Sequence, residues 1–362
     1  MNGQQDKNER AQKYKLHFFR QRDLPELSAS ELEAETGQIY RQLMQGRHSR
    51  KSVSYRLWYP AAAAALLLVA GVFFWQRQPK MAGTQTAVLK NANYDTDIQP
   101  GKSAAVLTLA SGKKIDLGLS RNGRIADEPG ALVSKTADGT VIYSASTKWS
   151  GSGTVNTLST VRGQQYRVVL PDGSKVWLNS ASSITYPTSF SGMQNRAVKL
   201  IGEAYFEVAK DRSRPFIVKT SKQEVEVLGT HFNVNSYNDE NAVRTTLLEG
   251  SVKVTNEKGQ SILKPGHQAA VSGGAPVISK VNASESVAWK NGDFIFDNER
   301  FDSILRQLSR WYNVDIKGAG MDKDIRFSGT ISRSKPISTV LRALELTGQV
   351  RFQLEGHTLT VE

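Results

Sequence analysis

The sequence predicts a single-pass membrane protein with an all-β domain, of solenoid or sandwich type, followed by a small α+β domain. Three observations predict this fold class. One uncharged apolar run is long enough to cross a bilayer. In a long region after this run, apolar and polar residues alternate with period two in short stretches that turn residues separate. The last part of the chain shows apolar residues at helical spacing. We divide the chain into an inner helical segment, a spanning helix, a linker, the all-β domain and the α+β domain, at 1–56, 57–75, 76–99, 100–283 and 289–362.

The inner segment predicts two short amphipathic helices, over 9–22 and from residue 30 onward. The second begins with a capping-box pattern, a Ser followed three residues later by a Glu. Leu32, Ile39 and Leu43 then share one of its faces. Neither helix can bury an apolar face within so short a segment, so the pattern predicts binding to a partner; a weakly ordered tail beside the membrane stays open as the alternative.

The spanning helix is predicted from the 19 residues between Leu57 and Trp75, which carry no charge. A helix of that length covers about 30 Å of hydrocarbon. Four Lys and Arg residues and no acid stand within the ten residues before the run, against two basic residues in the ten after it. The positive-inside rule therefore places residues 1–56 in the cytoplasm and residues 76–362 outside the inner membrane. One span forms no transport pathway by itself, so the layout predicts an anchor or a transmitter of information.

The all-β domain is predicted by short alternating runs separated by turns, of which the sequence Pro-Asp-Gly-Ser at 171–174 is an example. Part of this region repeats itself. Residues 100–118 align with residues 162–179, and the alignment matches Gly101 to Gly163. A duplicated strand–turn–strand unit predicts stacked β layers.

The α+β domain is predicted as two βαβ-like halves, with a βαβ-βαββ order of elements. Its predicted helices cover 301–313 and 336–348. The predicted strands cover 294–296, 314–316, 325–330, 350–354 and 358–362. The apolar faces of the two helices consist of Phe301, Ile304, Leu305, Leu308, Trp311, Ile337, Val340, Leu341 and Leu344.

Composition argues against several classes of function. The net charge of +13 is spread along the chain without a dense basic stripe, which argues against direct nucleic-acid binding. The chain has no cysteine, and its five histidines show no ligand spacing, so we predict no metal site and no cofactor. Nucleophile-elbow and phosphate-loop motifs are missing, so we predict no enzymatic activity apart from possible self-cleavage.

Two short motifs could carry chemistry. Glu203 and Glu207 lie four residues apart on one predicted strand, about 13 Å from each other, which is too far for a glycosidase pair unless another strand supplies the second carboxylate. Gly229-Thr230 lies between two predicted strands, where a Thr hydroxyl could attack the preceding carbonyl. A turn glycine followed by a capping threonine is the simpler interpretation of that pair.

Several of these motifs together resemble FecR-like anti-sigma factors of the Bacteroidetes type. The resemblance is carried by GQQYRVVLPDGSKVWLNSASSITYP, VKLIGEAYFEVAKDRSRPFIVKT, VEVLGTHFNV, LLEGSVKV and LKPGHQAAV, within about 160–275. The C-terminal part, from AWKNGDFIFDNERFDSILRQLSRWYNV onward, resembles the family's C-terminal domain, which is related to the short N-terminal domain of secretins and TonB-dependent receptors.

The resemblance implies a transmembrane regulator with most of its mass in the periplasm. Such a protein holds an extracytoplasmic-function sigma factor in the cytoplasm and releases or activates it when a TonB-dependent outer-membrane receptor contacts the periplasmic part. It implies receptor contact on the C-terminal domain, where we expect Phe301, Arg306, Trp311 and Tyr312 to take part. It also implies self-cleavage at Gly229-Thr230 and cleavage near the span by periplasmic and intramembrane proteases.

Two other interpretations stay open at this point. A membrane-anchored periplasmic carbohydrate-binding or hydrolytic protein would need solvent-facing aromatic rings and paired carboxylates in one groove. A TonB-like energy-coupling or scaffold protein would need a proline-rich spacer to cross the periplasm, and the whole chain contains only 11 prolines.

Overall fold

The computed structural model describes residues 97–145, 154–318 and 324–362. The predicted inner helices, the predicted span and nearly all of the predicted linker lie outside these residues. Within the three described ranges, no helix combines the length and the hydropathy that a membrane crossing needs.

The all-β character predicted for the region that follows the linker is confirmed, and this region contains 19 strands within the described residues. They are β1 Lys102–Ser103, β2 Val106–Thr108, β3 Lys114–Asp116, β4 Gly123–Glu128, β5 Ala131–Lys135, β6 Val141–Ala145, β7 Val155–Ser159, β8 Gln164–Val169, β9 Lys175–Leu178, β10 Ser183–Pro187, β11 Arg196–Glu207, β12 Phe216–Lys219, β13 Glu224–Val227, β14 His231–Ser236, β15 Val243–Glu249, β16 Val252–Asn256, β17 Gly259–Leu263, β18 His267–Val271 and β19 Val277–Lys280.

These strands form two layers that share one long strand. The first layer has the order β3-β2-β7-β10-β11-β12-β13-β16-β17, and the second has the order β4-β5-β6-β8-β9-β11-β14-β15-β18-β19. Strand β11 pairs with β10 and β12 up to Ile201, and with β9 and β14 from Gly202 onward. Gly202 has a φ of +84° and lies against Ser182, where a Cβ would be 2.4 Å from the Ser182 hydroxyl oxygen. Only glycine fits this crossing point.

The core of the β domain lies between the two layers. Buried and partly exposed residues alternate along most strands, as period-two alternation predicts for a sheet with one buried face. Phe206 in the second layer stacks on Phe232 with 5.0 Å between ring centroids, and it meets Phe216 of the first layer at 6.2 Å. This packing makes the domain a two-layered β structure, as the sequence predicts.

The sequence repeat corresponds to strands that lie side by side. Strand β1 pairs with β8 in parallel, and Lys102 lies opposite Gln164 and Ser103 opposite Gln165. These are the residues that follow Gly101 and Gly163, which the repeat alignment matches to each other. The two copies therefore pair in register only at their first strand, because β2 and β3 of the first copy lie in the first layer, and β8 and β9 of the second copy lie in the second layer.

The C-terminal domain contains the predicted helices and strands, but the strands pair differently from the expectation. After a 3₁₀ turn at Glu285–Val287, the elements are α1 Ala288–Asn291, β20 Asp293–Arg300, α2 Phe301–Tyr312, β21 Asp315–Lys317, β22 Arg326–Ser332, α3 Ile337–Glu345, β23 Phe352–Glu355 and β24 Thr358–Val361. Strand β20 pairs with β22, and β21 pairs with β24, which also pairs with β23. The two predicted βαβ halves are thus interleaved, because each sheet takes strands from both.

Candidate functional site

The sequence-predicted site residues fall into three groups. Leu32, Ile39 and Leu43, predicted to bind a sigma factor, lie outside the described residues. Gly229 and Thr230 lie in the β domain. Phe301, Arg306, Trp311 and Tyr312 all lie on α2, which faces the β domain.

The structure places three of the four predicted receptor-contact residues in the interior. Phe301, Trp311 and Tyr312 are 1%, 5% and 2% exposed. The Trp311 indole nitrogen donates to the Arg333 carbonyl at 2.9 Å, and the Tyr312 hydroxyl donates to the Lys335 carbonyl at 2.7 Å. These three side chains hold the C-terminal domain together, and a partner can reach them only after that packing changes.

Arginines on α2 join the two domains through a pair of carboxylates. Arg310 donates to both carboxylate oxygens of Asp239, at 3.1 and 2.9 Å, and to Glu240 Oε1 at 2.8 Å. The other oxygen of Glu240 accepts from Arg306 at 2.9 Å. The Arg310 guanidinium also lies over the Tyr237 ring, 4.0 Å from its centroid. Glu240 is 7% exposed, so its charge is balanced almost entirely by these two arginines.

A second contact runs in the opposite direction, from the β domain to the end of α2. Arg162 donates through its guanidinium to the Ser309 carbonyl and hydroxyl, to the Val314 carbonyl and, at 2.7 Å, to Asp315. The neighbouring Gly163 N–H donates to the Arg310 carbonyl, in the last turn of α2, at 2.7 Å. The Gly163 N–H thus satisfies a carbonyl that the C-terminus of the helix leaves without an intrahelical partner, and the Arg162 cation lies at the same end of the helix, where the helix dipole favours positive charge.

A closed ring of hydrogen bonds lies deeper in the same interface. Glu203 accepts from Asn233 at 2.9 Å and from Asn179 at 2.8 Å. The amide oxygen of Asn233 accepts from the Trp289 indole, and that of Asn179 accepts from Arg333 at 3.0 Å. Arg333 closes the ring by donating to the Trp289 carbonyl at 2.8 Å. Three members belong to the β domain and two to the C-terminal domain, so the ring cannot persist if the domains separate.

Burial dominates the electrostatics of this ring. Burial raises the pKa of Glu203, although hydrogen bonds from both asparagines and the nearby arginines act against the rise. Burial likewise lowers the pKa of Arg333 to about 10, against the attraction of Glu203. The Arg333 guanidinium also lies over the Trp311 ring, 3.8 Å from its centroid. Two opposite charges are therefore held in a poorly solvated site, separated by one asparagine.

The chain enters the β domain by passing over the C-terminal domain. The Asp97 carboxylate accepts from the Ser338 N–H at 3.2 Å and from its hydroxyl at 2.7 Å, in the first turn of α3. Ile98 packs on the core of the C-terminal domain. Gly101 lies so close to Trp311 that a Cβ at this position would be 2.6 Å from the ring. The segment that follows the predicted linker is thus held by the C-terminal domain before it enters β1.

Gly229-Thr230 lies at the junction of β13 and β14, as the sequence predicts. Gly229 has a φ of +144°, and a Cβ there would be 2.8 Å from the Lys210 Cα. Thr230 is buried, and its hydroxyl donates to the Ser251 carbonyl at 3.1 Å. Only glycine fits this backbone, and the threonine hydroxyl is held within the turn.

The carboxylates considered for hydrolysis have other partners. Glu203 belongs to the interdomain ring, and Glu207 lies 3.4 Å from the Lys175 ammonium. Across the described ranges, no three His, Cys, Asp or Glu side chains are arranged to hold a metal ion.

Comparisons with known proteins agree with this architecture. The family model described as FecR protein matches residues 156–253, and the model described as FecR, C-terminal matches residues 293–361. Two crystal structures, at 2.50 and 1.65 Å resolution, of a protein assigned as an anti-sigma factor from Parabacteroides distasonis ATCC 8503 are similar to this chain. Each has a TM-score of 0.54 and 30% sequence identity, and the match covers 57% of this chain and 98% of the solved one. The chain belongs to the FecR-like anti-sigma factor family. No curated protein matches it.

As a FecR-like protein, the chain has the role of an anti-sigma factor, and its family implies a sigma factor as partner. The C-terminal match begins at β20 and ends at β24, so it covers the part of the fold that carries α2 and Arg333. The FecR match includes Arg162, Asn179, Glu203 and the Asp239–Glu240 pair. The interface of this FecR-like protein is therefore built from both matched regions.

Sequence reasoning did not find several residues of this interface. Arg162, Asp239 and Glu240 stand in loops of the β domain, where isolated charges are usually solvated. Arg333 also lies in a loop, after β22, and it was not identified for the same reason. The one available signal was the pair Arg306 and Arg310 on a helix with a strong apolar face, since their spacing of four places both on one side of α2.

Proposed function

We propose that the protein is a transmembrane anti-sigma factor that binds an extracytoplasmic-function sigma factor through residues 1–56. It releases or activates that sigma factor when a TonB-dependent outer-membrane receptor contacts its periplasmic part. The observation that carries the proposal is the combined match to both FecR regions and to a solved anti-sigma factor. The sidedness is supported by the uncharged run at 57–75 and the basic residues before it.

The proposed mechanism is a population shift between a closed and an open arrangement of the two periplasmic domains. The closed arrangement is the one described above, in which Arg306 and Arg310 bind the Asp239–Glu240 pair. A receptor that binds the open arrangement more tightly moves the equilibrium toward it, and only by that difference in affinity. Phe301, Trp311 and Tyr312 are buried in the closed arrangement. A receptor bound to the C-terminal domain would contact them only where opening of the interface exposes them.

The entry segment at 97–103 supports a route from this interface to the membrane. Asp97 and Ile98 contact the C-terminal domain directly, and Gly101 packs on Trp311. Opening the interface would free these residues as an extended chain. A periplasmic protease could then cut the freed segment, and an intramembrane protease could cut the predicted helix at 61–71. The sigma factor would be set free by the second cut or by a weakened grip.

A co-purification experiment tests the sigma-factor partner. The full-length chain in detergent serves as bait for the sigma factors of the host, beside a variant with Leu32, Ile39 and Leu43 all changed to Ala. A matched control changes Arg41 and Gln45 to Ala, on the opposite face of the same predicted helix. We expect one sigma factor to bind the wild type and the control, and to be lost from the triple variant.

Failure of the wild-type chain to retain any sigma factor would contradict the proposal. Retention by the triple variant would instead contradict the assignment of the three apolar residues. The carbohydrate-hydrolysis interpretation has no support from Glu203 and Glu207, because each is held by another side chain.

A further inference from the structure

The two layers of the β domain have free strand edges at both of their ends. At one end, β3 is the last strand of the first layer and β4 the last strand of the second. At the other end, β17 and β19 are the last strands, and among the described strands they pair only with β16 and β18. Eight strand spacings separate β3 from β17 in the first layer, so the two ends lie about 40 Å apart.

The β3–β4 end has the usual protection of an edge against unwanted contacts. Strand β4 carries the ion pair between Arg124 and Asp127 and a register shift next to Arg124. Strand β3 begins at Lys114 and ends at Asp116, and both side chains are exposed. Charged side chains and bulges are common means by which proteins keep an edge strand from pairing. We therefore expect this end to face water.

The opposite end exposes apolar side chains instead. Ile262 of β17 is 67% exposed, and Val277 and Ile278 of β19 are 68% and 41% exposed. Ile278 lies opposite the buried Ala269 of β18, so it points to the core side of its layer, and Val277 points to the other side. Strand β19 thus exposes an apolar side chain on each of its faces, because the first layer does not cover it.

Strands β17 and β19 lie next to each other at this end. The Ser261 hydroxyl of β17 donates to the Pro276 carbonyl, which directly precedes β19, at 3.4 Å. The Val281 N–H, which directly follows β19, donates to the Gly266 carbonyl at 2.9 Å. The exposed apolar side chains of both strands therefore belong to one surface, which we call the β17–β19 end and which consists of residues 256–266 and 272–281.

Lysines stand at both ends of this apolar surface. Lys258 lies in the turn before β17, Lys264 follows β17, and Lys280 is the last residue of β19. All three are exposed, and they form no ion pair with the residues that the structure describes. Glu257 is the only acidic residue of the β17–β19 end. The surface therefore combines a positive charge with exposed apolar side chains.

This combination fits an anionic lipid bilayer. Apolar side chains that enter the interfacial region, together with lysines that contact acidic head groups, are the two features that bind proteins to such a surface. A second copy of the chain fits less well, since antiparallel pairing of two β19 strands would bring the lysines of both copies together.

A bilayer is also within reach of every copy. Only 21 residues separate Trp75, at the end of the predicted span, from Asp97, and they reach at most about 70 Å. A tether of this length keeps the local concentration of the surface near the membrane high, so contacts that are weak in free solution can hold the domain there.

We propose that the β17–β19 end is a membrane-docking surface, through which the β domain rests on the anionic outer surface of the membrane that the predicted span crosses. The proposal rests on that span and its orientation, which belong to the proposed function. The three apolar side chains enter the interfacial region, and the three lysines contact lipid phosphates. Docking directs the charged β3–β4 end away from the bilayer.

Docking is tested on the full-length chain reconstituted into vesicles of phosphatidylcholine, with or without phosphatidylglycerol. The chain has no cysteine, so Ser279→Cys places a single label on β19, and Leu119→Cys places a single label at an exposed position between β3 and β4. A membrane-impermeant fluorescent maleimide, added from outside, labels only chains whose β domain faces outward. Nitroxide-labelled lipid then quenches a label that lies at the bilayer.

The two labels should respond differently. With phosphatidylglycerol present, we expect the label at position 279 to be quenched at least about threefold more than the label at position 119. In phosphatidylcholine alone this difference should shrink, because the lysines then have no acidic lipid to contact.

Paired substitutions show which side chains enter the membrane. Ile262→Gln with Val277→Gln should lower the quenching at position 279 about threefold, and both side chains are exposed, so the fold loses little packing. Val155→Gln with Leu346→Gln is the matched control, because these are exposed apolar side chains away from the β17–β19 end. The control should leave the quenching unchanged.

A second set of substitutions tests the charge. Lys258→Gln, Lys264→Gln and Lys280→Gln in one chain should reduce the quenching with phosphatidylglycerol to the level seen without it. Lys113→Gln with Lys114→Gln, at the β3–β4 end, should have no such effect.

Several results would overturn the inference. They are equal quenching of the two labels, quenching that phosphatidylglycerol does not increase, and quenching that the paired apolar substitutions leave unchanged. An acidic strand is the other occupant that a free edge could take. If the peptide Glu-Val-Thr-Val-Thr-Val-Glu shifts the fluorescence at position 279 while lipid does not quench it, the surface binds a strand and the inference is wrong.

Failure of the docking inference is distinguishable from failure of the proposed function. Extraction of the chain from the vesicles by alkaline carbonate would contradict the predicted span, and with it the proposed function. A chain that is retained but whose label at position 279 is not quenched would overturn the docking inference alone.

Discussion

Arg310 of α2 donates to Glu240 of the β domain at 2.8 Å, and Glu240 has Arg306 as its second cation. The pair is largely shielded from water, since the side chains are 10% and 5% exposed. Removing one partner of a buried ion pair leaves an uncompensated charge, which is strongly destabilising. The two domains are therefore held closed by a contact whose loss affects the whole interface.

The first prediction concerns this ion pair. Arg310→Ala should lower the free energy of unfolding by about 3 kcal/mol. In the variant, Glu240 would keep Arg306 as its single cation, and Asp239 would lose its contact with α2. Urea denaturation followed by tryptophan fluorescence measures the change.

Arg124→Ala is the matched control for that variant. Arg124 pairs with Asp127, but both side chains are about half exposed, so the loss should stay below about 1 kcal/mol. Equal losses in the two variants would contradict the assignment of Arg310 as the main interdomain contact.

The second prediction concerns the close approach of Gly101 to Trp311. Gly101→Ala would place a Cβ 2.6 Å from the indole ring and 2.8 Å from the Gly163 carbonyl oxygen, so we expect a loss of about 1–3 kcal/mol and partial release of the entry segment. Limited proteolysis should then cut near residues 97–103 faster than in the wild type.

Gly274→Ala provides the comparison, because a Cβ at Gly274 has open space around it. Its stability and its proteolysis rate should match those of the wild type. If Gly101→Ala were equally resistant to proteolysis, the entry segment would not be held by this contact.

The sequence predicts the elements of this fold better than it predicts their contacts. The match of Gly101 to Gly163 identifies two strands that do stack in register, because a repeat leaves a direct trace in the residue order. The helix predicted at 301–313 is observed at Phe301–Tyr312, because its apolar spacing reflects one buried face. Both are local or periodic signals.

The interdomain contacts leave no such signal. Arg333 and Glu203 are 130 residues apart in sequence, and each alone resembles an ordinary surface charge. Trp311 and Tyr312 were expected to contact a receptor, but the same apolar spacing that predicts α2 also buries both rings. Whether a charged side chain is buried depends on which loop of the other domain packs against it. A single sequence does not show which loop and which charge come into contact.

The third prediction concerns Gly229-Thr230. If the Thr230 hydroxyl attacks the Gly229 carbonyl, the peptide bond is replaced by an ester with a free Thr230 amino group, and water then releases the Gly229 carboxylate. Denaturing gels should show two fragments, residues 1–229 and 230–362. Because β11 pairs with β14 across the cut, the fragments should elute together in native gel filtration.

Two substitutions test the role of the hydroxyl. Thr230→Ala should give only full-length chain, while Thr230→Ser, which keeps a hydroxyl, should still be cut. Cleavage that persists in Thr230→Ala would point to an external protease, and an uncut wild-type chain would exclude self-cleavage under those conditions.

The fourth prediction concerns pH. Burial raises the pKa of Glu203 above its ordinary value of 4.5, so the folded state keeps this proton to higher pH than the unfolded state does. At pH values between the pKa of Glu203 in the unfolded state and its higher pKa in the folded state, the folded state binds more protons. The free energy of unfolding therefore falls as pH rises through this range. Relative to Glu203→Gln, which does not titrate, the wild type should lose stability from pH 4.5 upward.

Urea denaturation of both proteins across that range measures the difference between their free energies of unfolding. Titrating groups elsewhere cancel in this difference, because both proteins carry them. If the wild type gained stability over the variant as pH rose, attraction to Arg333 and Arg310 would outweigh the burial of Glu203.

The central claim is that signalling requires the interface to open, and a disulfide across it tests that claim most directly. The Cβ position of Gly163 lies 3.8 Å from the Asn313 Cβ, the usual spacing in a disulfide, and the chain has no cysteine of its own. Gly163→Cys with Asn313→Cys is introduced into the Arg310→Ala variant, and transcription from a promoter of the captured sigma factor is measured. Gly163→Cys alone in the same variant controls for the backbone strain of a side chain at a φ of +73°. Gly259→Cys with Ala275→Cys, within the β domain, is the control pair.

Arg310→Ala alone should raise transcription, since it favours the open arrangement. The oxidised interdomain disulfide should return transcription to the wild-type level, a reducing agent should raise it again, and the control disulfide should have no effect. Transcription that stays high in the oxidised interdomain variant, or that Arg310→Ala never raises, would contradict the account.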